Sequence, residues 1–101
     1  MNIVLETLAF ADWLDKLPDN VGKARIVARI RQAKAGNFGD CRPVGNGVSE
    51  MRIHVGPGYR LYYAQEALRL YLLLLGGDKS SQPNDVQRAK EMWREIKEEK
   101  A

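Results

Sequence analysis

The chain of 101 residues holds one cysteine, Cys41, and one histidine, His54. A lone thiol rules out an internal disulfide framework and fits a reducing compartment. With one Cys, one His and no repeated Asp/Glu spacing, the sequence cannot build a standard zinc or calcium site, so neither metal nor cofactor is expected. Long apolar runs are missing too. The longest, Leu70 to Leu75, is far too short to span a bilayer, and Met1 to Glu6 lacks the basic stretch of a secretory signal. Repeats and low-complexity linkers are also absent. Gly76-Gly77-Asp78-Lys79-Ser80-Ser81 lacks the spaced glycines of a phosphate-cradling P-loop. These absences leave one expectation: a single cytoplasmic domain over residues 1–101, without a membrane partner.

The chain has a modest excess of positive charge, net +3, and it is unevenly placed. Residues 1–21 sum to −3, residues 22–60 to +6, and the rest balances. Six of the eight bases in the middle segment are arginines, whose forked guanidinium suits phosphate oxygens. A solvated basic helix face gives the same count.

Periodicity gives the element order. Ile3-Val4-Leu5 reads as a short strand. Phe10, Trp13, Leu14 and Leu17 follow at i, i+3, i+4 and i+7, a helical stripe ended by Pro18. Asp19 or Asn20 caps a second helix that buries Ile26, Val27, Ile30 and Ala33 and stops at Gly36-Asn37. The two form a helical hairpin. From Asp40 the pattern alternates: a short strand at Cys41 to Val44, a turn at Gly45-Asn46-Gly47, then strands at 48–55, 59–64 and 68–75. Gly76-Gly77 reads as the break before a last helix with Val86, Ala89, Trp93 and Ile96 on its apolar stripe. The fold class is α+β: strand, helical hairpin, an antiparallel sheet of three to four further strands, C-terminal helix. Trp13 and Trp93 are expected in the core or at an edge shared with a partner, and Cys41 as a small buried thiol.

Register decides which side chains share a face. If Gly56-Pro57-Gly58 is a three-residue loop, Val55 faces Tyr59, Ile53 faces Leu61 and Met51 faces Tyr63. The other face then carries Glu50, Arg52, His54, Arg60 and Tyr62, with Arg52 across from Tyr62 and His54 across from Arg60. Two guanidiniums can hold a scissile phosphate, His54 or Glu50 can move a proton, and Tyr62 can stack on a base. That is the chemical content of a metal-independent ribonuclease. A solvated sheet surface with cross-strand ion pairs carries the same residue types.

Several blocks in series resemble a known family. They are Phe10-Ala11-Asp12-Trp13-Leu14, Ala24-Arg25-Ile26 with Arg29-Ile30, and Gly36-Asn37-Phe38-Gly39-Asp40. Gly45 to Ile53, Gly56 to Tyr63 and Leu74 to Gln82 complete the series. Together, over nearly the whole chain, they resemble the HigB-like "addiction module killer" branch of the RelE/ParE toxin superfamily. The resemblance implies a RelE/ParE-like fold and the toxin of a bacterial type II toxin–antitoxin pair. It implies a cognate helix-turn-helix antitoxin as partner, and operator DNA reached only through that complex. It also implies an endoribonuclease that cuts mRNA in the ribosomal A site and so inhibits translation. Arg52 and Arg60 match the family's basic site positions, with Lys79 as a third phosphate contact; His54 is a local reading. After the last strand stand Ser80, Ser81 and Gln82, with no histidine or tyrosine. Arg25, Arg29, Arg31 and Lys34 are then expected to face ribosomal RNA, with Tyr62 as a further RNA contact. Two alternatives stay open: a ParE-like gyrase inhibitor, and an inactive homologue acting as antitoxin co-repressor.

Overall fold

The computed structural model describes residues 1–100. Five strands and three helices follow in the order β1 (Ile3–Glu6), α1 (Leu8–Asp15), α2 (Asn20–Lys34), β2 (Cys41–Gly45), β3 (Val48–Ile53), β4 (Tyr59–Ala67), β5 (Leu70–Asp78) and α3 (Gln82–Lys100). A short 3-10 turn, Lys79–Ser81, joins β5 to α3. This is the expected α+β order, with four strands after the helical pair. Thr7 caps α1 by accepting from the Phe10 N–H, and Asp19 caps α2 by accepting from Gly22.

The sheet order is β1-β5-β4-β3-β2. It is mixed rather than wholly antiparallel, because β1 runs parallel to β5. Alternation along the strands divides the apolar residues between two faces. One face packs Met51, Leu61 and Leu73 against Phe10 of α1 and Ile26 of α2. The other packs Val48, Tyr62 and Leu74 against Ala89 and Trp93 of α3. Trp13 lies half-buried beside the first cluster, as does Cys41, less enclosed than expected. No described helix is long and apolar enough to cross a membrane.

Three local expectations are corrected. The β3–β4 pairing is Ile53 with Tyr59, Met51 with Leu61 and Arg52 with Arg60, so the loop holds five residues, 54–58. The Val55 N–H bonds to the Ile53 carbonyl (3.0 Å), and the Val55 carbonyl takes the Gly58 N–H (3.0 Å). Val55 is consumed by the turn and has nothing left for Tyr59. The slip is two residues, so the side chains from Val48 to Ile53 and from Tyr59 to Ala64 keep their predicted faces, while His54 and Val55 pass into the loop. Next, Leu68 lies in the β4–β5 turn rather than in a strand, with Arg69 at φ 59°.

The third concerns Gly76-Gly77. These glycines do not break β5; they pair with Leu61 and Arg60 of β4. Their role is close approach. A Cβ on Gly76 would collide with the Trp13 ring, and one on Gly77 with the Asp85 carboxylate. Gly76→Ala is therefore expected to lower unfolding free energy by about 1–3 kcal/mol, through forced repacking of Trp13. A urea midpoint equal to wild type would contradict that packing.

Candidate functional site

The α3-facing side of β3 and β4 carries the predicted polar group, and Arg52 and Arg60 stand directly opposite each other there. The same face is roofed in part by α3, which changes what each residue can do. Glu50 is fully buried. Its Oε2 accepts from Arg42 Nε at 3.0 Å, and its Oε1 accepts from Gln82 Nε2 at 2.5 Å. Such pairing is what a buried carboxylate requires. Glu50 is thus an anchor for the start of α3, held away from solvent, and the proposed proton-transfer role loses its access.

Tyr62 is corrected in the same way. It is fully buried within the α3 cluster, so no ring face is free to stack on a base. Burial pushes its phenol well above the ordinary range, and the nearby Glu50 and Asp85 carboxylates add to this. Its hydroxyl has no hydrogen-bond partner.

Arg60 is the informative residue. Its side chain is only 9% exposed, and its Nε stands 3.7 Å from Glu50 Oε1, beyond hydrogen-bond reach. Nε and Nη1 both lack a partner. A buried guanidinium with unfilled donors is costly unless an anion completes it. Arg60 lines an open cleft of about 410 Å³ with Lys79, His54 and the Gly56-Pro57-Gly58 loop. Three of the four predicted catalytic residues therefore border one cleft, although His54 sits on the loop past β3 rather than across from Arg60.

Arg52 and His54 share a partner that sequence reasoning missed. Asp40 accepts from Arg52 Nη2 at 2.7 Å through Oδ1 and meets His54 Nε2 at 2.6 Å through Oδ2. The bond from His54, then that from Arg52, lowers the Asp40 carboxyl to about 2. A carboxylate on Nε2 favours the tautomer that carries its proton there, which in a neutral ring leaves Nδ1 as the acceptor. Cys41 pairs with Met51, which sets Asp40, one residue before β2, beside Arg52.

The basic helix is also reassigned. Arg29 donates from Nη1 to the Arg52 carbonyl (2.7 Å) and from Nη2 to the carbonyls of Phe38 (2.9 Å) and Asp40 (3.2 Å). It ties the approach to β2 onto β3 and is spent as an RNA contact. Gly39, at φ +64°, leaves the space its guanidinium fills. Arg25, Arg31 and Lys34 are exposed. At about 100° per residue, Arg25 and Lys34 stand about 180° apart, so the helix does not offer one cationic face. Among the described residues, no three His, Cys, Asp or Glu side chains are placed to hold a metal ion.

Residues 12–97 match the family model described as "Phage derived protein Gp49-like (DUF891)". The chain belongs to the Gp49-like family. A Haemophilus influenzae (strain Rd) protein described as uncharacterized is 46% identical over 90 residues, covering 89% of this chain and 91% of its own length. Within this Gp49-like chain the Asp40 clamp gives a pH signature. A carboxyl held near 2 against an ordinary 3.8 adds stability that is fully present above pH 3.8 and lost as pH falls toward 2. Asp19 and Asp78 are lowered as well, so Asp40→Asn should flatten part of the acid limb of the urea midpoint against pH, not all of it. An acid limb unchanged from wild type would contradict the clamp.

Proposed function

We propose that this Gp49-like protein is the toxin of a type II toxin–antitoxin pair, of the HigB-like branch of the RelE/ParE superfamily. In this reading it acts in the cytoplasm as a ribosome-dependent mRNA endonuclease. A helix-turn-helix antitoxin holds it inactive, and operator DNA is reached only through that complex. The observation that carries the reading is Arg60: a guanidinium nine-tenths buried, with two unpartnered donors, on a cleft shared with Lys79 and His54. An RNA phosphate is the anion that suits such a site.

The chemistry follows from the same side chains. Arg60 and Lys79 bind the non-bridging oxygens and offset the charge that builds on them in the transition state. His54 Nδ1 takes the proton of the 2′-hydroxyl, whose oxygen attacks the phosphorus. The 5′-oxygen leaves and is protonated from water, giving a 2′,3′-cyclic phosphate and a 5′-hydroxyl end. Asp40 steadies the imidazolium that forms. Arg52, tied to Asp40, fixes that carboxylate in place.

The test is expression without antitoxin, with mRNA ends mapped and ribosome-bound cutting measured in vitro. Arg60→Lys and Lys79→Ala should each lose cutting, with about 3 kcal/mol of transition-state stabilisation gone for the Arg60 change. Tyr62→Phe, which removes only an unpartnered hydroxyl, should cut as wild type does. Full activity in both the Arg60 and Lys79 variants would overturn the site. DNA breaks with an SOS response and intact mRNA would favour a ParE-like gyrase inhibitor. Harmless expression would favour an inactive co-repressor.

A further inference from the structure

Strand β1 is one of the two sheet edges, and β5 is its only partner. The Ile3 N–H bonds to the Arg69 carbonyl (2.7 Å), and the Thr7 N–H to the Leu73 carbonyl (3.0 Å). Backbone groups alternate sides along a strand, so the odd residues face β5 while Val4 and Glu6 turn theirs outward. Asn2, at the head of that outer row, already donates across it to the Lys34 carbonyl (2.8 Å). No proline, lysine or bulge blunts this edge, which the other edge has: β2 carries Pro43 and a bulge between Pro43 and Gly45.

The flanks of β1 are unlike the rest of the surface. Six large apolar side chains stand exposed among the described residues, and five of them border this strand: Met1, Ile3, Leu5, Leu8, and Leu68 in the adjoining turn. Their exposure runs from 48% at Leu5 to 91% at Leu8. Beside them Glu6, Asp12 and Asp15 rim a shallow depression floored by Ala9 and Ala11. Asp12 is partly answered by Lys16 at 3.1 Å, and Lys23 bonds only the Asp15 backbone carbonyl, so the rim stays acidic. Residues 1–21 sum to −3 in a chain of net +3.

We propose that the β1 edge is a docking site for an extended segment of a partner protein, in which apolar residues alternate with lysine or arginine. The segment adds as a sixth strand beside Val4 and Glu6, its apolar side chains cover Ile3 and Leu5, and its cations meet Glu6, Asp12 and Asp15. Charge selects this occupant over a second copy. Two β1 edges brought together would set the same acidic rims against each other. No residue lines both this depression and the Arg60 cleft, so the inference stands independently of the nuclease reading.

The probe is an eight-residue peptide alternating Lys/Arg with Val/Ile, titrated against the full chain. The readout is amide hydrogen exchange, with N-methylated and glutamate-for-lysine versions as controls. The basic peptide is expected to slow exchange at Val4 and Glu6. The acidic version, and the doubly changed chain Glu6→Lys with Asp15→Lys, should bind at least about tenfold more weakly. Circular dichroism on the double variant confirms that it folds, and the peptide controls act on the unaltered chain in any case. Equal binding of the acidic or N-methylated peptide overturns the proposal. So does protection at residues away from β1, or no binding at millimolar peptide. A free chain that dimerises through β1 gives the edge to a second copy instead.

Discussion

The Glu50 carboxylate is the contact on which the rest of the arrangement turns. It is a charge with no access to water, satisfied by Arg42 of β2 and Gln82 at the start of α3. Burying a carboxylate costs several kcal/mol unless its oxygens are occupied, so this pairing requires α3 to begin where it does. Helix α3 then roofs Tyr62 and Val48, and the roof ends before the open end of the hairpin. Both strong acceptor sites of Glu50 go to Arg42 and Gln82. Arg60 is left close to a negative charge but without a hydrogen bond to it, its Nε and Nη1 donors buried and unpaired beside the cleft.

This division gives the two ends of the β3–β4 face different characters. Toward the β2–β3 turn the face is dry and closed by Ala89 and Trp93. Toward the 54–58 loop it opens, and Arg60, Lys79 and His54 meet there. Asp40 supplies the remaining order by joining Arg52 and His54 at the open end. A cleft edged by cations, with a carboxylate-held imidazole beside it, has the parts for phosphate binding and proton transfer.

The legible features were those with a period. Alternation placed Met51, Ile53, Leu61 and Tyr63 on one face and Glu50, Arg52, Arg60 and Tyr62 on the other, and a two-residue slip in register left that division intact. Pairing inside the turn was not legible, because Val55 reads as one more alternating strand residue until its backbone groups are seen to be taken. Gly76-Gly77 read as a stop because glycine serves turns and close packing alike, and only Trp13 and Asp85 distinguish the two. Burial was the largest gap. Nothing local to Tyr62 or Glu50 reveals that a helix some thirty residues later lies over them, as the Gln82–Glu50 bond shows. Arg29 likewise looked like one cation among several, whereas three backbone carbonyls claim it.

Side-chain NMR can show whether the unfilled donors of Arg60 form an anion site. Chain labelled at arginine and histidine nitrogens would be titrated with inorganic phosphate and with a 2′-O-methyl dinucleotide that cannot be cut. An anion site at Arg60 gives saturable shifts of the Arg60 Nε–H and the His54 ring, with Arg42 unmoved. Weak, unsaturable shifts confined to the exposed Arg25 and Arg31, with Arg60 silent, would contradict it.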